Sequence, residues 1–330
     1  MAPDALTDPP AGSARLLRQT ATVRELLRQR RRQRASWRRK MTSPPSVRLV
    51  LTAKAENVSL ARELLAAIAD RVDVAATVED IKAAVSEAAN NVVVHAYGER
   101  SGPLEVVVRI LPSALEVSVR DEGEGVASRA SAEAAAGEVM AARGPGHGLG
   151  IAMMDALADH FELRPREPHG TEALLSFELR TPSGLAGAFQ AGEAQLATPG
   201  ADALTLLASP ASLASIVLPR LACAAAARAG FTVDRVSDAQ LLADALAAHA
   251  APALSVPSLR CELRFANREL RFVVGPFAPG AARSAIADSN IGQLGPLLER
   301  LADTIEVRDT AAGEQLALVL REPAGRPSSV

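Results

Sequence analysis

The strongest constraint on the fold is a pattern of elements that occurs twice along the chain. Three blocks of the first part align on three blocks of the second part, in the same order: 78–91 on 236–249, 104–125 on 259–280, and 157–164 on 301–308. A single match between alanine-rich helices would mean little, but three ordered matches favour a duplicated fold. We therefore expect two copies of one domain.

The length of the chain agrees with this organisation, because 330 residues suffice for two domains of about 100 to 200 residues each. The expected segments are a basic tail at 1–45, a first domain at 46–180, a linker rich in Gly, Ala, Pro and Thr at 181–205, a second domain at 206–322 and a tail at 323–330.

The N-terminal tail carries a run of arginines and glutamines at 29–34 and further basic residues at 38–40. Such a run can bind nucleic acid or an anionic membrane surface. Alternatively, the tail is a solvated disordered segment, or translation starts at Met41. We favour these two alternatives, and we expect no direct binding to nucleic acid or membrane.

The composition is that of a soluble globular protein. The net charge is −2 and 48% of the residues are hydrophobic, yet no uninterrupted apolar stretch approaches the roughly 18 residues of a membrane span. The two cysteines lack CxxC spacing and the histidines form no HExxH pattern, which argues against a disulfide framework or a zinc site. Because the N-terminus shows no export signal, we expect a cytoplasmic protein.

Hydrophobic periodicity predicts alternating strands and helices in the first domain. Strand patterns occur at 47–51, 104–111, 114–120, 161–164 and 172–179. Asn57 or Ser59 is the expected N-cap of one helix, a second helix runs from near Thr77 to about His95, and a third covers 149–158. Hairpins without a regular βαβ repeat indicate an α/β protein of the α+β two-layer sandwich type.

The first candidate motif lies at the end of the second helix. Glu87 and Asn91 are four residues apart, so they project from one helical face. An asparagine oxygen is a suitable ligand for Mg²⁺, and Glu87 could hold an attacking hydroxyl. Taken alone, however, this pair is more typical of an exposed helix face.

The second motif follows the strand at 114–120. Asp121 ends the strand, and Gly123 and Gly125 follow it, so the backbone can approach a planar ligand without interference from a Cβ atom. A carboxylate there can accept a hydrogen bond from an exocyclic amine such as that of adenine. The same pattern occurs in ordinary turns and in calcium loops, but the further oxygen ligands of an EF-hand are missing.

The third motif is a glycine cluster that opens into the third helix. It consists of Gly144, Gly146, His147, Gly148, Leu149 and Gly150. Glycines at a helix N-terminus expose backbone N–H groups, and the helix dipole favours phosphate there. The spacing is neither that of a P-loop nor that of a dinucleotide-binding GxGxxG motif, and a flexible glycine-rich loop remains the alternative.

Together, in this order and spacing, the three motifs resemble those of the GHKL ATPases, the superfamily of gyrase, heat-shock chaperone ATPases, MutL and histidine kinases. The matches are the N box at Asn91, the G1 box at Asp121, Gly123 and Gly125, the G2 box at Gly146, Gly148 and Gly150, and a Gly-Thr element at Gly170 and Thr171. Residues 80–88, with Asn91 and His95, look like the anti-sigma-factor serine kinases of this superfamily.

The resemblance covers roughly residues 47–180 and implies a Bergerat-type fold, which is a mixed, mainly antiparallel sheet with helices on one face. It implies that Glu87 is the general base for a substrate serine, that Asn91 holds Mg²⁺ and that Asp121 reads adenine. Further ATP contacts are implied at Gly123, Gly125, Gly146, His147, Gly148, Leu149, Gly150 and Thr171.

The function implied by the resemblance is an ATP-dependent serine/threonine protein kinase that phosphorylates a STAS-type antagonist and binds a sigma factor. One alternative is an ATP-binding regulatory module without kinase activity. The other is the detached ATPase domain of a sensor histidine kinase, although the sequence shows no phospho-acceptor histidine on a long paired helix.

The second domain departs from the motifs. The alignment replaces Glu87, Asn91, Asp121 and Gly123 by Ala245, His249, Pro276 and Ala278, respectively. We therefore expect a degenerate copy without an ATP site. Since related kinases act as homodimers, the fused copy is expected to replace the second subunit, which predicts a monomeric pseudo-dimer.

Overall fold

The structure is a computed structural model that describes residues 43–123, 149–185, 196–290 and 295–323. The glycine-rich residues Gly125, Gly146, His147 and Gly148 of the predicted site lie outside the described residues, as does nearly all of the basic tail. The described residues from Pro44 onward belong to one compact unit.

Ten strands and seven α-helices are found in the described residues. The first half, as we use the term below, contains β1 (Ser46–Thr52), α1 (Val58–Ala69), α2 (Val78–Asn91), β2 (Pro103–Ile110), β3 (Ala114–Arg120), α3 (Leu149–Leu157), β4 (His160–Pro165) and β5 (Thr171–Glu178). The second half contains β6 (Ala203–Ser209), α4 (Ala214–Arg228), α5 (Val233–Ala250), β7 (Leu259–Ala266), β8 (Glu269–Phe277), α6 (Ala281–Asp288), α7 (Leu297–Leu301), β9 (Thr304–Thr310) and β10 (Gly313–Arg321).

All ten strands form one sheet in the order β4-β5-β3-β2-β1-β6-β7-β8-β10-β9, and every neighbouring pair is antiparallel. Counted outward from the centre, the first half has the order β1-β2-β3-β5-β4, and the second half has the equivalent order β6-β7-β8-β10-β9. The halves meet at the β1–β6 pair, where Leu49 lies opposite Leu206 and both are fully buried. The prediction of a mixed α/β fold with an antiparallel sheet is confirmed.

One hydrophobic core lies between the sheet and the helices, and it runs through both halves. Strand side chains alternate between this core and the opposite face, as the two-residue period of a strand requires. In β2, for example, Leu104, Val106 and Val108 are fully buried in the core, whereas the next residues point the other way. The opposite face, called the open face below, carries arginines and glutamates such as Arg48 and Glu105.

Two local predictions need correction. Asn57 does not cap α1 with its side chain; instead its amide donates to the Thr52 carbonyl (2.8 Å) and its Oδ1 accepts from Arg228 at the end of α4 (2.7 Å). The linker predicted at 181–205 also ends earlier, because β6 begins at Ala203 and pairs with β1. The Arg228–Asn57 hydrogen bond and the β1–β6 pairing both join residues that are far apart in sequence.

One helical stretch among the described residues, Ala211–Arg228, has the length and the mean hydropathy (1.3) of a membrane span. It coincides with α4 and the turn before it, and 56% of it is buried inside the protein. Its apolar side chains, including Val217, Leu218 and Leu221, belong to the core. The stretch is therefore explained as a core helix, and the cytoplasmic location stays a prediction.

Replacing Asn57 by alanine removes the hydrogen bond that joins the residue before α1 to Arg228 at the end of α4. Asn57 is fully buried, so the change leaves the Arg228 guanidinium and the Thr52 carbonyl without this partner. We expect a loss of about 1 to 3 kcal/mol in unfolding free energy, measured by denaturant titration of the whole chain. Ser59→Ala is the control, since the Ser59 hydroxyl is exposed. Equal stability of the two variants would contradict this role for Asn57.

Candidate functional site

Helix α2 fixes the position of the first motif. Its N-terminus is closed by a capping box, in which Thr77 Oγ1 accepts from the Asp80 N–H (3.1 Å) and the Asp80 carboxylate accepts from the Thr77 N–H (3.3 Å). Ile81, Ala84, Val85, Ala88 and Ala89 bury the inner face of the helix. The capping box fixes where α2 starts, and the buried residues fix the rotation of the helix about its axis. The half-buried Glu87 and Asn91 therefore lie on the outer side of α2.

A π-helical turn, Val92–Ala96, continues α2 beyond Asn91. Turns of this kind are rare and occur frequently at functional sites. This turn brings the Ala96 carbonyl against Gly123, where an added Cβ atom would collide with the Ala96 backbone. The end of α2 and the loop after β3 are therefore in direct backbone contact, and only glycine fits at position 123.

Glu87 lies against the start of α3. A Cβ atom added to Gly150 would collide with the Glu87 carboxylate, and Gly150 itself is buried. The neighbouring Leu149 is 73% exposed. The structure thus places the predicted general base at the helix N-terminus that follows the glycine cluster, where the helix dipole favours an anion.

Asp121 is a buried carboxylate at the end of β3, with an exposed fraction of 5%. Its Oδ1 accepts from the Gly123 N–H (2.8 Å), and its own N–H donates to the Thr171 carbonyl (3.0 Å) on β5. Burial raises the pKa of Asp121 above its ordinary value, while the hydrogen bonds of Gly123 and Thr171 and the charge of Arg166 oppose the shift. These contacts hold the turn from Asp121 to Gly123 against Thr171 of β5.

Tyr97 is a site residue that sequence reasoning missed. The Glu122 N–H donates to its hydroxyl (2.7 Å), and the hydroxyl donates to the Pro103 carbonyl (2.6 Å). Burial raises the pKa of Tyr97 to about 12, so the phenol stays protonated and keeps its donor. The available signal was that this is the only tyrosine of the chain and follows Asn91 closely.

Arg166 is the second missed residue. It lies in the turn between β4 and β5, and its guanidinium donates to the backbone carbonyl of Asp121 (2.8 Å). Glu105 on the open face, 5% exposed, lies 4.0 Å from Arg166, 3.9 Å from Arg120 and in an ion pair with Arg48. Arg166 thus links the Asp121 loop to a network of charged residues around Glu105 on the open face, and this network holds the loop in place.

The described site residues fit the nucleotide that the motifs imply. Asp121 offers a buried acceptor for an amine, and Glu87 of α2 lies against the start of α3, beside a helix N-terminus that favours an anion. Among the described residues, no three His, Cys, Asp or Glu side chains converge on a metal position. Mg²⁺ usually takes one or two protein oxygens and completes its shell with phosphate and water. Asn91 could supply such an oxygen.

Comparison with known proteins gives a consistent result. Residues 51–177 match the family model of the histidine kinase-like ATPase domain. An anti-sigma F factor of Clostridium acetobutylicum is 29% identical over 131 residues, which cover 38% of this chain and 89% of that protein. The serine-protein kinase RsbW of Bacillus thuringiensis is 38% identical over 78 residues, covering 23% of this chain and 49% of the kinase.

A second anti-sigma F factor, from Caldanaerobacter subterraneus, is 40% identical over 81 residues, covering 24% of this chain and 55% of that protein. The chain thus spans nearly the whole of one relative and about half of the others. A crystal structure of the RsbU and RsbW domains of Rv1364c from Mycobacterium tuberculosis covers 85% of this chain and 94% of its own, with 11% identity and a TM-score of 0.21, values too low to bear on the fold. Residues 51–177 form a histidine kinase-like ATPase domain that is homologous to the anti-sigma factors and RsbW serine kinases.

Proposed function

We propose that the first half binds Mg·ATP and transfers the γ-phosphoryl group to a serine or threonine of a STAS-type antagonist protein, and that the chain also binds a sigma factor. The observation that supports this most is the contact between Glu87 and Gly150, which places a carboxylate at the helix start after the glycine cluster. The names of the homologous proteins, anti-sigma factor and serine-protein kinase, agree with the proposal.

Each of the site residues described above has a role in this proposal. Asp121 accepts a hydrogen bond from the adenine amine, and Tyr97 and Arg166 hold the Asp121 loop in place. Asn91 would hold Mg²⁺ through its side-chain oxygen, and the bound ion would supply charge neutralisation at the phosphates. Glu87 accepts the proton of the substrate hydroxyl. Phosphoryl transfer depends mainly on positioning and charge stabilisation, so a rigid turn beside a helix N-terminus suits it.

We further propose that each chain binds one nucleotide and works as a monomeric pseudo-dimer. The residues of the second half that align with the site are Ala245, His249, Pro276 and Ala278, and none of them can supply the carboxylate that Asp121 supplies. The central β1–β6 pair places the second half where a second subunit could extend the same sheet.

An ATP-binding regulatory module without kinase activity is the alternative. This alternative is favoured by the second half, which lacks the site residues. A domain without these residues can still bind a partner protein through its surface. An assay of phosphate transfer to an antagonist protein distinguishes the two, because only the kinase would phosphorylate it.

Glu87→Gln should separate phosphoryl transfer from nucleotide binding. Without a general base, we expect phosphorylation of a STAS-domain substrate to slow by about 10² to 10⁴, while Mg·ATP affinity changes little. The measurement is transfer of labelled γ-phosphate beside a calorimetric ATP titration. Glu79→Gln is the matched control, because Glu79 is an exposed carboxylate in the first turn of the same helix. Full transfer activity in Glu87→Gln would rule out its role as the base.

Gly123→Ala tests the backbone contact between the Asp121 loop and the π-helical turn. The new Cβ atom must displace the Ala96 backbone or the loop, so we expect Mg·ATP affinity to fall by roughly tenfold or more, together with about 1 to 3 kcal/mol of stability. Gly184→Ala is the control, because no atom lies within 4 Å of a Cβ placed there. If the two variants bind Mg·ATP equally well, the close approach at Gly123 does not shape the site.

A further inference from the structure

The segment 196–200, called the strap below, is the part of the linker that precedes β6. Leu196 is 9% exposed, so its apolar side chain is buried although it lies outside the strands and helices. The Thr52 hydroxyl at the end of β1 donates to the carbonyls of Pro199 (2.9 Å) and Gly200 (3.1 Å). The strap is therefore held by an apolar side chain at its start and by hydrogen bonds at its end.

The strap lies on the open face of the sheet. A small cavity there is lined by Leu196 and Thr198 together with Arg48 and Val50 of β1 and Glu105 of β2. Val50 lies opposite Glu105 in the β1–β2 register and points to the same face. It is 3% exposed, so this apolar position of the open face is covered. Leu196 is the apolar residue that the strap contributes to this cavity.

The same cavity extends to the Asp121 loop. Asp121, Glu122 and Arg166 line it together with the strap residues. Arg166 donates to the Asp121 carbonyl (2.8 Å) and lies 4.0 Å from Glu105, which also lines the cavity. The charged pair that holds the Asp121 loop therefore borders the space that the strap covers.

The strength of this charge network depends on how much water reaches it. Glu105 is 5% exposed and lies near the guanidinium groups of Arg48, Arg120 and Arg166. The attraction between opposite charges falls as the dielectric constant around them rises. Water admitted to the cavity would therefore weaken the hold of Glu105 on Arg166, and a strap seated over the cavity limits that access.

We propose that the strap is a conformational switch for nucleotide binding. Seated on the open face, it shields the charge network and keeps the Asp121 loop in the conformation that receives adenine; lifted, it releases the loop. This inference rests on the proposed nucleotide site. Coupling between two sites is reciprocal, so bound Mg·ATP stabilises the seated strap to the same extent. Because the strap leads into β6 at Ala203, the linker between the halves responds to nucleotide occupancy.

Leu196→Ser tests the switch by weakening the apolar anchor of the strap. Ala197→Ser is the matched control, because Ala197 is the next residue, is exposed and receives the same hydroxyl. Each whole chain is titrated with Mg·ATP by calorimetry. Amide hydrogen exchange is followed in the strap, at Glu122 and Gly123, and in α5, both without nucleotide and at saturating Mg·ATP.

We expect Leu196→Ser to weaken Mg·ATP binding about fivefold or more, as is usual for coupled sites. Without nucleotide, exchange at Glu122 and Gly123 should accelerate by a similar factor, because their N–H groups donate to Tyr97 and Asp121 within the loop region. Exchange in α5 should stay unchanged, which separates this effect from a general loss of stability. Saturating Mg·ATP should slow exchange across the wild-type strap.

Ala197→Ser should match the wild type in every measurement. Should Leu196→Ser fail to fold, Thr52→Val serves as the second variant. It removes the hydroxyl that holds Pro199 and Gly200 and keeps the shape of the side chain, so it should show the same changes to a smaller extent.

Unchanged Mg·ATP affinity in Leu196→Ser would overturn the proposal, and so would weaker binding without faster exchange at Glu122 and Gly123. Weaker binding together with faster exchange at these two amides would support it. A wild-type chain that binds no nucleotide would overturn the proposed function instead. Exchange in nucleotide-free Leu196→Ser would then still decide whether the strap holds the Asp121 loop.

Discussion

Backbone pairing between β1 and β6 holds the molecule together, because it converts two five-stranded sheets into one. An unpaired β1 would expose a row of N–H and C=O groups at a sheet edge, and β6 satisfies this row from Ser46 to Leu51. The pairing also brings α1 beside α4, where Arg228 binds Asn57 (2.7 Å) and lies over the Phe265 ring (4.8 Å). The core then extends through both halves.

The two halves of this sheet differ at the ends of the equivalent strands β3 and β8. The loop after β3 begins with a buried carboxylate, Asp121, which accepts from the Gly123 N–H, and the next residue, Glu122, donates its N–H to Tyr97. Near the end of β8, Pro276 stands at the position that aligns with Asp121, and the N–H groups at the start of α6 donate to the carboxylate of Glu314. The aligned positions of the two halves therefore carry different chemistry, although both halves belong to one sheet.

Local sequence signals were sufficient for most elements of the first half. The alternation at 104–111 and 114–120 predicted the β2–β3 hairpin, and Thr77 with acidic residues in the next turn predicted the start of α2; both are confirmed. The end of α2 was predicted near His95, and the structure has an α-helix to Asn91 followed by the π-helical turn. The sequence does not predict this turn, because it lies where the end of the helix packs against Gly123.

Long-range contacts could not be read from the sequence. Asn57 has the residue type of an N-cap, but its partner Arg228 lies in the other half. Arg166 and Tyr97 reach Asp121 and Glu122 from different turns, and neither contact could be predicted from local sequence. The roles of Glu87 and Asn91 stay predictions, although the structure brings Glu87 to Gly150.

The most direct test of the nucleotide site is a calorimetric titration of Mg·ATP into the wild-type chain and into Asp121→Asn. Asparagine preserves the shape of the side chain and an acceptor for Gly123, but it removes the charge. We expect saturation at one site per wild-type chain and an affinity roughly tenfold to a hundredfold lower in the variant, since a hydrogen bond to a charged group contributes about 1.5 to 3 kcal/mol. Equal binding by the two proteins, or no binding by the wild type, would contradict a nucleotide site built around Asp121.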